Sequence, residues 1–155
     1  MSRIVVGVDG SPASTGALAW ALDEARLRRA SVTAVHAWAH PFPVATGFPG
    51  GFVVPVDEDT VDAMRKAAEE LLERVLSEAD THGVEVEQVV AEGPAAGALI
   101  EEADGAELLV VGSRGHGGFA GLLLGSVSQQ CAHYAPCPVV IIRAPEAGGQ
   151  QTRSR

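Results

Sequence analysis

The sequence predicts an α/β fold in which an open parallel β-sheet carries helices on both faces. Short runs rich in valine and isoleucine alternate along the chain with longer segments of helical periodicity. The chain has 155 residues, of which 46% are hydrophobic but only 5% are aromatic. This composition favours helices packed on a valine-rich sheet over an aromatic β-sandwich core. The length is that of one ordinary domain, which we expect to span residues 1–143.

The first quarter of the chain contains a strand, a helix and a second strand. Residues 4–8 are an apolar run suited to a buried parallel strand, and Asp9 and Gly10 end it. Ser11 and Pro12 then have the residue types of a helix N-cap and first turn. We expect this helix to end near Arg29 and a second strand to occupy residues 32–38.

The middle of the chain begins with a predicted loop. Residues 39–56 contain four prolines and three glycines, which are typical of an irregular connection. An apolar stripe with a spacing of three or four residues then predicts the longest helix. Its members are Val61, Met64, Ala68, Leu71, Val75 and Ala79. We expect the helix to stop at Gly83, and a third strand to contain Val84, Val86 and Val90.

The last third of the chain continues the alternation. Residues 95–104 are predicted as a short helix and residues 108–111 as a fully apolar strand. After a glycine-rich loop come a helix over residues 126–134 and a fifth strand over residues 139–142. Residues 144–155 are polar, and we expect them to form a disordered tail.

Charge and composition exclude several functions. The chain carries 20 acidic and 11 basic residues, a net charge of −9, so its surface repels nucleic acid and no such partner is expected. The sequence shows neither a secretory leader pattern nor an apolar run long enough to span a membrane. Cys131 and Cys137 lack zinc-site spacing and are interpreted as buried or half-buried thiols of a cytoplasmic protein.

The predicted topology indicates where a ligand would bind. In open parallel sheets, ligands bind beyond the carboxyl ends of the strands, where the strand order reverses. The first strand ends in Gly7, Val8 and Asp9, and the fourth ends in Val111 and Gly112. Both ends carry glycine, and the first adds a carboxylate. We therefore expect the functional site at these two strand ends.

The segment from Gly112 to Ser128 is the most informative part of the sequence, and we call it the glycine-rich segment. It starts at a strand end and finishes at a helix start, where unpaired N–H groups and the helix dipole favour an anion. Glycine lets the backbone approach a ligand closely, and Ser126 and Ser128 add hydroxyl groups. Lys66 is the only lysine, so the segment predicts a phosphate cradle that uses no lysine.

Other interpretations of these glycines fit less well. A Walker loop requires a lysine that is absent from the segment. Gly115, Gly117 and Ala120 match the letters of the dinucleotide fingerprint, but only one strand follows, and the acidic residue about 20 positions on falls near Glu146. A loop whose glycines serve only turns is the purely structural alternative.

The motif also carries a family resemblance. The spacing Gly112-x2-Gly115-x9-Gly125-Ser126 resembles the G-x2-G-x9-G-[S/T] pattern of the ATP-binding universal stress proteins. Residues 4–11, 35–38 and 137–142 are similar to the first, second and last strands of that family. The resemblance spans residues 3–143, and the long glycine pattern makes it specific.

The resemblance implies a sheet of order 3-2-1-4-5 and a homodimer that pairs through Val139–Ile142. It implies bound ATP, with Mg²⁺ beside Asp9. The adenine would contact the backbone at Ala37. The implied nucleotide-binding residues are Gly7, Val8, Asp9, Ala37, Gly112, Arg114, Gly115, Gly125, Ser126, Val127 and Ser128.

Three functional hypotheses follow. The first is a nucleotide-dependent regulatory module in the stress response, acting on a protein partner that the sequence does not identify. The second is a slow ATPase or nucleotidyl-transfer enzyme of the same superfamily, for which Asp9 with a metal is suited but an arginine finger and a base are lacking. The third is a scaffold that binds no nucleotide. The histidines show no metal-site spacing, and His36 is interpreted as a packing residue within a strand.

Overall fold

The computed structural model describes residues 1–39, 55–115 and 123–144. Within them, strands and helices alternate in the predicted order. The elements are β1 (Arg3–Gly7), α1 (Pro12–Arg28), β2 (Ser31–Trp38), α2 (Glu58–Glu78), β3 (Val86–Glu92), α3 (Ala95–Glu102), β4 (Leu108–Gly112), α4 (Ser126–Tyr134) and β5 (Val139–Ile142). Most of the predicted loop over 39–56 and of the tail over 144–155 lies outside the described residues.

The five strands form one parallel sheet of order β3-β2-β1-β4-β5, which confirms the predicted fold class and strand order. β1 lies in the middle, where Val5 is aligned with Thr33 of β2 on one side and with Leu109 of β4 on the other. Since the chain first builds outward through β2 and β3 and then returns to β4, the strand order reverses between β1 and β4.

Helices cover both faces of the sheet. α1 and α2 pack on one face, where Ile4 and Val6 of β1 join Leu18, Leu22 and Leu72 in the larger core. α3 and α4 pack on the other face against Val5, and successive β1 side chains therefore enter opposite cores. Burial on both faces explains why Ile4, Val5 and Val6 of β1 are all apolar rather than alternating with polar residues.

The start of α1 follows the predicted capping chemistry. The Ser11 side chain accepts a hydrogen bond from the Ser14 N–H at 3.3 Å, and Pro12 occupies the first helical turn. The helix ends at Arg28, and Arg29 adopts a left-handed φ of 55° as its C-cap. The prediction of an end near Arg29 is confirmed to within one residue.

α2 ends earlier than predicted. Asp57 is its N-cap. Thr60 donates hydrogen bonds to this carboxyl from its side chain and from its N–H, and both lower the pKa of Asp57, the side-chain bond more strongly. The helix ends at Glu78, so the predicted end at Gly83 is wrong. Gly83 instead lies in the turn before β3, with a φ of +76°. The buried positions are Ala68, Leu72, Val75 and Leu76, while Met64 is exposed.

A long-range contact explains the early end of α2. Arg26 on α1 donates from its guanidinium to the carbonyl oxygens of Asp80 at 2.5 Å and His82 at 3.0 Å. Those carbonyls are held outside the helix, so the chain leaves α2 before the glycine. Val84 then donates its N–H to Thr81 in a turn, and β3 begins only at Val86 rather than at Val84.

Two further expectations concern the thiols and the helices. Cys131 is buried and Cys137 is half-buried, and both are free, as predicted. Burial raises the pKa of the Cys131 thiol to about 11 and also raises the pKa of Cys137.

None of the helices in the described part of the chain is long and apolar enough to cross a membrane.

Candidate functional site

A cleft of about 830 Å³ opens at the carboxyl ends of β1, β2 and β4. It lies where the strand order reverses, which is the position expected for a ligand in this architecture. Every residue predicted for the site lines this cleft: Gly7, Val8, Asp9, Ala37, Gly112, Arg114, Gly115, Gly125, Ser126, Val127 and Ser128. The structure therefore brings together residues that the sequence separates by more than 100 positions.

Asp9 places a carboxylate at the end of β1. Its Oδ1 atom accepts a hydrogen bond from the Ser11 N–H at 2.8 Å, and its own N–H donates to the Ser14 hydroxyl at 3.2 Å. These contacts tie Asp9 to the first turn of α1. Asp9 is half-buried and is the only carboxylate among the described residues that line the cleft.

Gly115 lies directly against this carboxylate. A Cβ atom built on Gly115 would lie 2.4 Å from Oδ2 of Asp9, which is far inside normal contact distance. A side chain at position 115 would therefore displace the Asp9 carboxylate from its present position. This contact joins the end of β1 to the segment that follows β4.

The glycine at position 112 is also required by the packing of α1. A Cβ atom there would lie 2.8 Å from the Cβ of Ala13 and 2.9 Å from the backbone nitrogen of Ser14. The backbone of α1 packs directly on the end of β4, so the absent side chain serves helix packing. Gly112 still borders the cleft, but its glycine character is explained by the fold.

The N-terminus of α4 faces the cleft. Gly125 is its N-cap, has no side-chain cap and donates its N–H to the carbonyl of Ser113 at 2.6 Å. The first bond of the helical ladder runs from Gln129 to Gly125 at 3.0 Å. The N–H groups of Ser126, Val127 and Ser128 have no acceptor within the helix, and these three residues line the cleft.

The Ser128 hydroxyl corrects one expectation. It is directed at the protein rather than at the cleft, since it donates to the carbonyls of Ser113 at 2.8 Å and Gly125 at 3.0 Å. Ser128 is only 2% exposed. This hydroxyl therefore links α4 to Ser113, directly after β4, and the residue can serve a ligand only through its backbone N–H.

Few charged side chains line the described part of the cleft. Arg114 is exposed and is the only lysine or arginine among the described residues lining the cleft. Within residues 1–39, 55–115 and 123–144, no group of three or more His, Cys, Asp or Glu side chains could hold a metal by itself. A metal at Asp9 would need ligands from the bound molecule.

Sequence reasoning missed several residues of the cleft. His36 lines it and hydrogen-bonds from Nδ1 to the Val8 carbonyl at 2.7 Å, whereas we expected only a packing role. Leu71 of α2 and Leu99 of α3 add apolar walls. The position of His36 directly before Ala37 could have indicated its proximity, but nothing local indicated the two leucines.

The fold defines an α/β protein with a glycine-lined cleft at the reversal of strand order, where such folds bind ligands. Comparison with known proteins makes the class specific. Residues 1–143 match the model of the universal stress protein family, and the chain belongs to that family.

Individual relatives support the assignment. A universal stress protein of Mycolicibacterium smegmatis is 35% identical over 153 residues, which cover 97% of this chain and 51% of the relative. The chain spans about half the length of the named relatives that it matches.

Two solved structures are also similar. One is a universal stress protein in complex with cAMP, with 28% identity, a TM-score of 0.59 and coverage of 93% of this chain and 98% of that one. The other is the Archaeoglobus fulgidus universal stress protein in complex with dAMP, with 25% identity, a TM-score of 0.64 and coverage of 92% and 98%.

Proposed function

We propose that this protein binds ATP with Mg²⁺ in the cleft and acts in the cytoplasm as a nucleotide-dependent regulatory module of the stress response. The observation that carries the proposal is the convergence of a helix N-terminus, close-packed glycine backbone and one carboxylate in a single cleft of about 830 Å³. The similar structures named as cAMP and dAMP complexes support an adenine nucleotide as the ligand.

The phosphates would bind at the N-terminus of α4. The N–H groups of Ser126, Val127 and Ser128 lack acceptors within the helix, and the helix dipole favours negative charge at this end. Ser126 is exposed at the first helical position, so its hydroxyl is a further candidate donor. Arg114 supplies the nearby positive charge.

The residues present fit a magnesium ion that arrives with the nucleotide. Mg²⁺ is commonly held by one or two carboxylates together with substrate phosphates, and Asp9 supplies one carboxylate in the cleft. The ion would neutralise phosphate charge that this acidic protein, with a net charge of −9, otherwise repels. We therefore expect the affinity for ATP to depend strongly on the metal.

Calorimetric titration with ATP tests the proposal. We expect binding in the presence of Mg²⁺ and an affinity at least about tenfold lower in EDTA. Gly115→Val should abolish binding, because its side chain would displace Asp9. Gly97→Val is the matched control, since Gly97 lies on α3 with nothing within 4 Å of an added Cβ. Absence of binding to the wild-type protein would contradict the proposal.

A slow ATPase is the second candidate, because Asp9 places a carboxylate where a metal and the phosphates would meet. Phosphate release over many turnovers distinguishes it from a module that only binds. A rate that Asp9→Ala abolishes would favour the enzyme. Binding with no release supports the regulatory module.

We also propose a homodimer that pairs through β5. All four residues of Val139–Ile142 are apolar and half-buried, and β5 is an edge of the sheet. An apolar edge strand is a template for pairing with another chain. Sedimentation velocity should show a dimer, and Ile141→Lys should shift it to a monomer.

A further inference from the structure

The backbone of β2 changes its hydrogen bonding at the point where β1 ends. Val8 donates its N–H to the Val35 carbonyl at 2.8 Å, so the carbonyl of Val35 points toward β1. Gly93 donates to the Trp38 carbonyl at 2.9 Å, so Trp38 faces β3. Because peptide groups of alternate residues in a strand point to opposite neighbours, the N–H and C=O of Ala37 point to the β1 side.

That side of Ala37 lies beyond the end of β1. The last aligned pair between β1 and β2 is Gly7 with Val35. A ladder one step longer would bring the Ala37 N–H to the Val8 carbonyl. The observed pairing stops before that step, and Ala37 lines the cleft.

The His36 side chain hydrogen-bonds to the Val8 carbonyl, which is the carbonyl that would extend the ladder. Its Nδ1 atom lies 2.7 Å from the Val8 oxygen. A carbonyl can only accept a hydrogen bond, so Nδ1 carries the proton and donates it. The imidazole thereby satisfies Val8 from the side chain of the residue that precedes Ala37.

We infer that His36 is a positioning residue for base recognition, which holds the Val8 carbonyl and leaves the Ala37 N–H and C=O to a nucleobase. The inference rests on the proposed function and adds a determinant of specificity to the same cleft. His36 acts through the backbone and does not itself need to contact the ligand.

The peptide groups of Ala37 form a donor and an acceptor side by side. Adenine offers an acceptor at N1 beside a donor at its N6 amino group, which is a complementary pair. Guanine in the same orientation offers a donor at N1 and an acceptor at O6, so both contacts would be mismatched. A phosphate anchored at α4 keeps the two bases in one orientation. The arrangement therefore selects adenine over guanine.

Substitution of His36 tests the inference through discrimination between bases. His36→Leu and His36→Ala remove the donor, and His36→Asn keeps an N–H near the position of Nδ1. With Mg²⁺ present, we expect the loss variants to bind ATP about tenfold more weakly and GTP unchanged. His36→Asn should remain within about threefold of wild type for ATP. General damage to the cleft would weaken both nucleotides by the same factor.

Amide exchange in the ligand-free protein provides a second test that needs no nucleotide. We expect the Ala37 amide to exchange more slowly in His36→Leu, because the released Val8 carbonyl can accept from it. An unchanged preference for ATP together with unchanged Ala37 exchange would overturn the inference while leaving the proposed function intact. A wild-type protein that binds neither nucleotide would instead overturn the proposed function.

Discussion

Gly112 and Gly115 lie three residues apart in one motif, yet their missing side chains serve different contacts. An added Cβ at Gly112 meets the backbone and Cβ of α1, whereas one at Gly115 meets the carboxylate of Asp9. The first contact is with backbone that cannot move without shifting a helix. The second is with the end of a side chain in the cleft. A shared motif therefore combines a requirement of folding with a requirement of the site.

Replacement of Gly112 should cost stability. We expect Gly112→Ala to lower the free energy of unfolding by about 1–3 kcal/mol, because the methyl group overlaps Ala13 and Ser14. Gly97→Ala, on the exposed side of α3 and free of neighbours, should raise it by about 0.5–1 kcal/mol through helix propensity. Urea denaturation followed by circular dichroism measures both. Equal midpoints for the two variants would refute the packing role.

The Ser128 hydroxyl links α4 to Ser113, directly after β4, beside the bond that the Gly125 N–H donates to the same carbonyl. Ser128 should therefore matter for stability rather than as a phosphate ligand. We expect Ser128→Ala to cost about 1 kcal/mol, because a buried hydrogen bond to Ser113 is lost. Ser77→Ala on α2 removes a hydroxyl bond of the same kind, to the Arg74 carbonyl, from an exposed site and should change stability by less than about 0.5 kcal/mol. Thermal unfolding measures the stability of both variants, and equal losses for Ser128→Ala and Ser77→Ala would contradict a structural role for the Ser128 hydroxyl.

At the scale of elements, the end of α2 was predicted wrongly because its cause lies far away in the sequence. Arg26 holds the Asp80 and His82 carbonyls across 54 and 56 residues. Local signals such as Gly83 cannot report such a contact. The same limit applies to the Ser128 hydroxyl and to His36, whose partners lie 15 and 28 residues away. Elements with strong local patterns, such as α1 and β4, were predicted closely.

Arg26 should contribute more than its neighbour Arg28. Arg26→Leu removes the bonds to both carbonyls together with surface ion pairs to Asp23 and Asp80, and we expect a loss of about 1 kcal/mol. Arg28→Leu is the control, because its partners Glu24 and Glu107 are side chains at the surface, and the hydrogen bonds that Arg28 donates to them raise the pKa of Arg28. A smaller loss is expected there. If chemical denaturation shows a larger loss of stability for Arg28→Leu than for Arg26→Leu, the bonds from Arg26 to the two carbonyls after α2 are not the dominant contact.

For the molecule as a whole, the residue patterns predicted the parallel sheet and the position of the cleft, and the family resemblance predicted the strand order. Buried parallel strands must be apolar on both faces, and strand ends of a parallel sheet converge on one edge. These constraints connect sequence to architecture without detailed packing. The apolar walls from Leu71 and Leu99 could not be predicted, because they depend on how α2 and α3 lie on the sheet.

Alkaline pH should destabilise the folded molecule through Cys131. Burial raises its pKa to about 11, whereas the pKa of a thiol in the unfolded chain is about 8.5. Below both values the thiol is neutral in either state and has no effect. Above about pH 8.5 the unfolded state loses its proton first, so stability falls as pH rises and the fall ends near pH 11.

Cys131→Ala isolates this contribution. We expect the variant to be less stable at pH 7.5, because a small cavity forms, yet to lose less stability than wild type between pH 8 and pH 10.5. Urea titrations at a series of pH values provide the comparison, and all other titrating groups are common to both proteins. Parallel curves would show that this thiol does not contribute.

The two borders of the sheet differ in a way that bears on assembly. β3 exposes Glu87, Gln88 and Glu92, whereas every residue of β5 is apolar. Acidic side chains on a border strand discourage a further strand from adding there. Two copies joined along β5 would turn a negatively charged rim outward at each extremity. Mutual repulsion of those rims would then terminate the association at a pair and prevent growth into fibres.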